Sequence, residues 1–492
     1  VGGDLVHLLQ VPRLGAVDLQ AVADLDNHPP LDERRADRVA VDALNAPMKV
    51  IQDKNKCWKT VFDASMAMTA APGKAEDLDV LKVWPGMEGW DAMRSWAAAN
   101  APMGQALIES QKALAFGMPY GRDAVGPTVV ERGVVIQVGD GLQVYRSEPR
   151  YLKEMDKVTA YVAAEMYRLG GEKKFDEAFS LGIACLKVLR QVADQHLLEE
   201  KVWALNEMCD VCSMQRDVMQ TFLADIPGAV LKKFSLTGYA FVRPTDGERL
   251  RRLDMPEGDR VLAEAMINLL FDERGQPDAA KFAATMGEMQ ARDEPLSAFG
   301  AARRWQQIAG LHGSKDQALA RLTNIYDDWW RRWRLGYFDK LLDNPTVISR
   351  TNRTRYAMVL LMVKDLERVF QLRQRLNAEL NGTVLAFGLC ARYRDLGSWP
   401  RGLDETYTQY TVKRFDRDPW DPDWGRWQYA NLAAPREIET DFGRVRIEGG
   451  VIYARGADRA DNSAAKATND GVTGDFVAWP ALRALARMQG AK

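Results

Sequence analysis

Apolar residues recur every three or four positions through 151–223, and this constrains the chain more than anything else in it. Met155, Val158, Val162, Met166 and Leu169 mark one helical face, and "GGEK" breaks the run. Phe175, Ala178, Phe179, Ile183, Leu186 and Leu189 mark a second face, and Leu198, Val202, Leu205, Cys209 and Cys212 a third. A period near 3.6 is that of a helix with one buried side. Helix, glycine turn, helix, helix predicts stacked α-hairpins. "GEKKFDEAFSLGIACL" is loosely like half of a tetratricopeptide-type unit, but no 34-residue period repeats, so the array is irregular.

Other stretches share the pattern. Helices are expected over 31–68, in "WDAMRSWAAAN" (90–100), and in "PMGQALIESQKALAF" (102–116), where Pro102 occupies a first-turn position and Asn100 separates the two. Helical signals return through 259–345, and a long helix is expected from Arg353 to Tyr393. "PTVVERGVVIQVGDGLQVYRS" (127–147) is β-branched, with a turn signal at Asp140-Gly141, and reads as a hairpin or as an extended connector across helices. "FSLTGYAFVRPTDGERL" (234–250) reads as a turn-rich insert. At 492 residues the chain exceeds one ordinary core. Three regions are expected: N-terminal helices over 1–120, a helical array with connectors over 121–350, and a smaller α+β module over 351–492. The fold class is mainly α.

Helical period fades after about 393. "RDPWDPDWGRWQYAN" (417–431) holds three Trp, two Pro and three Asp. Pro419 fixes its own φ and pushes Asp418 into an extended conformation, so the pair opens a turn that Asp418 can cap. Trp420, Trp424, Trp427 and Tyr429 supply enough apolar area to cover one face of the preceding helix with a three-strand sheet.

In order, "LCARYRDLGSWPRGLDE" (389–405), "DPW" at Asp418–Trp420, Gly425, Tyr429, "RVRIEGGVIYARG" (444–456), a polar loop over 457–475 and "DFVAW" (475–479) resemble the globular half of the major pseudopilins of type II secretion systems. They also resemble pseudopilin-like C-terminal modules of secreted planctomycete proteins. The likeness covers about 351–480. It implies a helix ending in an aromatic-Pro turn, a small antiparallel sheet packed by Trp420 and Trp479, and one calcium ion in the last loop. Asp458 and Asp475 match the flanking ligand positions. Arg459 stands where the family has Gly, Thr473 replaces a second Asp, and the loop is longer. Either Asp470 substitutes as a ligand, or the segment is a solvated polar loop without metal. The lead-in "KDLERVFQLRQRLNAELNG" is internal and too polar for a membrane, unlike the N-terminal helix of a polymerising pseudopilin. Residues 90–121 with the array are similar to the N-terminal parts of the same planctomycete proteins. Val1 in place of Met leaves room for a lost leader or anchor.

Several chemistries lack their residues. Lys plus Arg number 66 against 68 Asp plus Glu, so no nucleic-acid field is expected. Four widely separated His argue against His-based catalysis, and no CxxCH, GxSxG, HExxH or GxxxxGK[ST] occurs. Cys209 and Cys212 read as buried core thiols rather than a redox pair. In "DDWWRRWR" (327–334), Trp329 and Trp333 are expected inward, with Arg331, Arg332 and Arg334 in water. Glu199-Glu200 reads as a solvated helix face. The expectation is a non-enzymatic extracytoplasmic structural or interaction protein with other protein subunits as partners, in a homo- or hetero-oligomer, and membrane contact only through a segment before Val1. The alternatives are an accessory subunit of a secretion-type apparatus and an enzyme with a carboxylate site among the helices.

Overall fold

The computed structural model describes residues 33–73, 78–238, 254–293, 300–336, 339–423, 425–468 and 471–490. Helix α1 (Glu33–Lys49) is followed by α2 (Trp58–Ala67), α3 (Trp90–Ala99) and α4 (Ala101–Ser110). The helix expected over 31–68 breaks between Lys49 and Trp58, where a 3-10 turn at Asp53–Asn55 intervenes. The helix expected over 102–116 ends at Ser110. The chain beyond it is extended because Cys57 and Trp58 donate their backbone N–H groups to Ala115 and Phe116. Asn100 joins α3 to α4: its Nδ2 donates to Trp96 O at 2.7 Å and its Oδ1 accepts Thr69 N.

A short helix α5 (Pro127–Glu131) precedes strands β1 (Ile136–Val138) and β2 (Ser147–Pro149), which pair antiparallel. The hairpin alternative therefore holds, and Gly141 in its turn has φ 53°. The array follows as α6 (Leu152–Gly171), α7 (Phe175–Val192) and α8 (Leu198–Phe222), each packed on the other two. Every residue of the α6 and α7 apolar stripes is buried. The break falls at Lys173, which takes a left-handed φ of 62°.

Helices α9 (Gly228–Lys233) and α10 (Glu257–Leu270) flank the insert predicted over 234–250, of which residues 239–250 lie outside the described residues. Then come α11 (Ala279–Lys281), α12 (Gly287–Asp293), α13 (Ala301–Ala309) and α14 (Lys315–Trp333). Trp329 and Trp333 point inward. Arg332 does too, against expectation: it donates to Leu342 O at 3.2 Å and Asn344 O at 2.7 Å, so these carbonyls replace water. The helix expected over 353–393 is two, α15 (Ala357–Met362) and α16 (Leu366–Leu396). Asp365 caps the second by accepting Arg368 N, which stabilises a fresh start there.

The C-terminal residues form strands β3 (Gln428–Thr440), β4 (Gly443–Ala454), β5 (Lys466–Ala467) and β6 (Phe476–Trp479), then α17 (Leu482–Met488). Sheet order is β5-β3-β4-β6, with β3–β4 and β4–β6 antiparallel and the two-residue β5 parallel to β3. The molecule is thus mainly α with a small sheet near its C-terminal end. Period-two alternation sends Ile452, Ala454, Phe476 and Ala478 toward the main core, while Val451, Tyr453 and Val477 join a second cluster with Leu482 and Ala486 of α17. Helix α16 packs along both α8 and the sheet. Gly382 permits this, since a Cβ there would lie 2.6 Å from Ala478 Cβ.

Buried ion pairs tie these layers together. Arg216 of α8 donates to Glu379 Oε2 and Thr383 Oγ1 of α16, both at 2.6 Å. Arg483 of α17 donates to Asp217 Oδ2 at 2.6 Å and Ser213 Oγ at 3.0 Å. One continuous cluster of buried apolar side chains runs from Ala40 to Trp479.

Candidate functional site: a cleft over a buried tyrosine and glutamate hub

The predicted ligand loop folds around its own aspartates. Asp475 is fully buried, and its two oxygens accept Asn462 N at 3.1 Å and Ala464 N at 2.6 Å. Burial pushes its carboxyl up to about 6, while these two amides pull the other way. Asp458 is exposed and accepts Ala460 N at 3.0 Å and Gly474 N at 2.8 Å. Asp458 and Asp475 therefore share one loop, and Asp470 lies outside the described residues. Among the described residues no three His, Cys, Asp or Glu lie close enough together to hold a metal ion. Within the described part of the loop the two carboxylates accept backbone amides.

The aromatic segment before it is ordered by Asp418, which is buried. Its Oδ1 accepts Trp420 N at 2.8 Å, and its Oδ2 accepts Arg455 N at 3.1 Å. Trp420 and Trp427 pack on Phe476, and Trp479 is buried. Cys209 and Cys212 are buried free thiols within α8, with burial pushing both thiols up. That disfavours the reactive thiolate.

A different group of residues lies under a wide cleft in the surface. Asn45 of α1 brackets Tyr120: its Nδ2 donates to Tyr120 O at 3.0 Å, and its Oδ1 accepts Tyr120 N at 2.8 Å. The Tyr120 hydroxyl donates to Glu200 Oε2 at 2.8 Å and accepts His196 N at 2.6 Å. The Tyr151 hydroxyl donates to Glu200 Oε1 at 2.8 Å, and Leu197 N adds a third donor. Burial pushes Glu200 up to about 7, and these hydrogen bonds oppose it. Burial also pulls His196 down to about 3, so its ring stays neutral, stacked on Tyr120. The hub fixes α1, the 117–121 segment, α6 and α8 relative to one another.

Above it is a cleft of about 1850 Å³, walled by α1, the 53–59 turn, residues 117–131 and the β1 end of the hairpin. Arg38, Lys49, Lys56, Lys59 and Arg122 line it, against Asp42, Asp53, Asp123, Glu131 and Asp140. The signs balance. Asn45 and Tyr120 form part of its polar floor.

Carboxylates also gather where α6 meets α8. Glu207 and Asp210 lie one turn apart, near Asp156 and Asp79. Trp203 Nε1 donates to Asp156 Oδ1 at 2.8 Å. Burial, then the charge of Asp210, pushes Glu207 up to about 8, and burial pushes Asp210 to about 6.

None of the hub was expected. Glu199 is solvated as predicted, but Glu200 is fully buried because Tyr120 and Tyr151 reach it from segments 80 and 49 residues away. One signal was present: Glu at the third position of a helix commonly turns back to the amide at its start, as Glu200 does to Leu197. No family model, no curated protein and no solved structure matches the chain.

Proposed function

We propose that this is a non-enzymatic structural or interaction protein of an extracytoplasmic assembly, and that other protein subunits, in a homo- or hetero-oligomer, bind it through the cleft. The size of the cleft carries the reading. Small-molecule pockets run to roughly 300–1,000 Å³, and this one is about 1850 Å³. Balanced charge suits an extended polypeptide bearing both signs better than a polyanion. The hub beneath keeps the walls in place, which lowers the ordering cost of binding.

The extracytoplasmic site rests on the likeness of the C-terminal module to pseudopilins. Calcium enters only if Asp470 adds the oxygens that Asp458 and Asp475 lack. A calcium-filled loop raises Tm in millimolar calcium and loses the gain in EDTA; an unmoved Tm removes calcium from the proposal. Among the described residues no helix is long and apolar enough to cross a membrane.

A photo-crosslinker at position 122 tests the cleft in native extract. The expected adduct is one protein of defined mass, lost when Arg38→Glu and Lys49→Glu are combined. No adduct, or one indifferent to that reversal, sinks the proposal. Co-purification with pseudopilin-like chains would favour the accessory subunit of a secretion-type apparatus. The enzyme reading is favoured by one observation, the half-buried carboxyls of Glu207 and Asp210 one turn apart on α8, both pushed up by burial.

A further inference from the structure

We infer that a second cavity, of about 510 Å³, binds a small apolar zwitterion: an apolar amino acid, or a short peptide with free termini. Its volume is that of a small-molecule site. The hairpin separates it from the cleft: Gln143 lines the cleft, and Tyr145 to Glu148 line this cavity. Helix α10 supplies Asp259 and Leu262, α12 supplies Met289, the end of α15 supplies Leu361 and Met362, and the break after it supplies Val363 and Lys364.

The floor is apolar. Leu262, Met289 and Met362 are buried there, and Leu361 and Val363 are half-buried. Methionines in such a floor adapt to side chains of different shape.

Charge of both signs surrounds this floor. Asp259 is buried, and one of its oxygens accepts Leu198 N at 2.6 Å. Lys364 is exposed at the helix break, and its charge acts on Asp259. Arg146 is half-buried beside it, held by Gln143 Oε1 at 2.8 Å and by Glu288. Glu148 is drawn outward by Arg150, through two hydrogen bonds of 2.9 and 2.8 Å. An ammonium fits beside Asp259, a carboxylate beside Lys364 and Arg146, and an apolar side chain on the floor between them. A purely apolar ligand would shield Asp259 from water and place nothing against it beyond the charges of Lys364 and Lys201. A dianion would meet Asp259 as a like charge.

Calorimetric titration of the full chain with leucine, with trileucine, and with trileucine blocked at both termini tests this. At least one ligand with free termini is expected to bind, and which one does so assigns the source. Blocking the termini weakens binding by about tenfold or more, as loss of a charge-assisted contact does. Lys364→Glu, at an exposed position, weakens it similarly, and Asp259→Asn does the same if it folds. No binding of either free ligand at about 10 mM, equal binding of the blocked peptide, or unchanged affinity in Lys364→Glu overturns the inference.

Discussion

Gly449 and Gly450 lie against the Trp399 ring, which itself stacks on Tyr393 with centroids 4.1 Å apart. A Cβ at 449 would come within 2.3 Å of Trp399 Nε1, and one at 450 within 2.7 Å of Cε3. Gly449 also has φ +72°. Gly449→Ala is therefore expected to cost about 1–3 kcal/mol in urea denaturation; an unchanged midpoint would mean that Trp399 is free to move aside. Glu207 makes a second test at this scale. The folded chain holds its proton to about pH 8, whereas the ordinary value is 4.5. The folded state binds the extra proton between those values, so stability falls as pH rises from about 4.5 to 8. Glu207→Gln should flatten that slope and add about 1 kcal/mol or more at pH 8. A slope that persists would place the titration elsewhere.

Among elements, α17 decides how firmly the sheet is held. It covers one face of β4 and β6, and Arg483 binds it back to Asp217 of α8 across 266 residues of sequence. Asp217→Ala leaves that guanidinium buried without its carboxylate and should cost about 3–5 kcal/mol. Amide exchange in β4 and β6 should rise together with it; a loss confined to α17 would show that the ion pair does not secure the sheet. Apolar period made α6, α7 and the strands around 444–456 and 475–479 legible in sequence, because each buries one face. It placed α8 and most of α16 too, but not their second buried sides. There Arg216, Asp217 and Glu379 look like surface residues, but Arg216 pairs with Glu379 between the two helices and Asp217 pairs with Arg483 of α17. The breaks were missed because local features, not period, set them: a 3-10 turn at Asp53–Asn55 and the Asp365 cap.

For the whole molecule, one buried cluster spans residues placed by sequence in all three expected regions. This has a functional consequence: the cleft walls are fixed by the same core that carries the sheet. Asn45, Tyr120, Tyr151 and Glu200 were invisible beforehand because each is unremarkable in its own segment and they meet only through the tertiary fold. Asp458 and Asp475 were legible as a loop pair, since Asx chemistry is local. The claim at the centre is that the cleft receives a polypeptide partner. Hydrogen–deuterium exchange on the full chain, alone and within its native assembly, measures this directly. Slower exchange in the assembly across 38–49 and 117–131 is predicted. Equal exchange there, with protection elsewhere, would contradict the account.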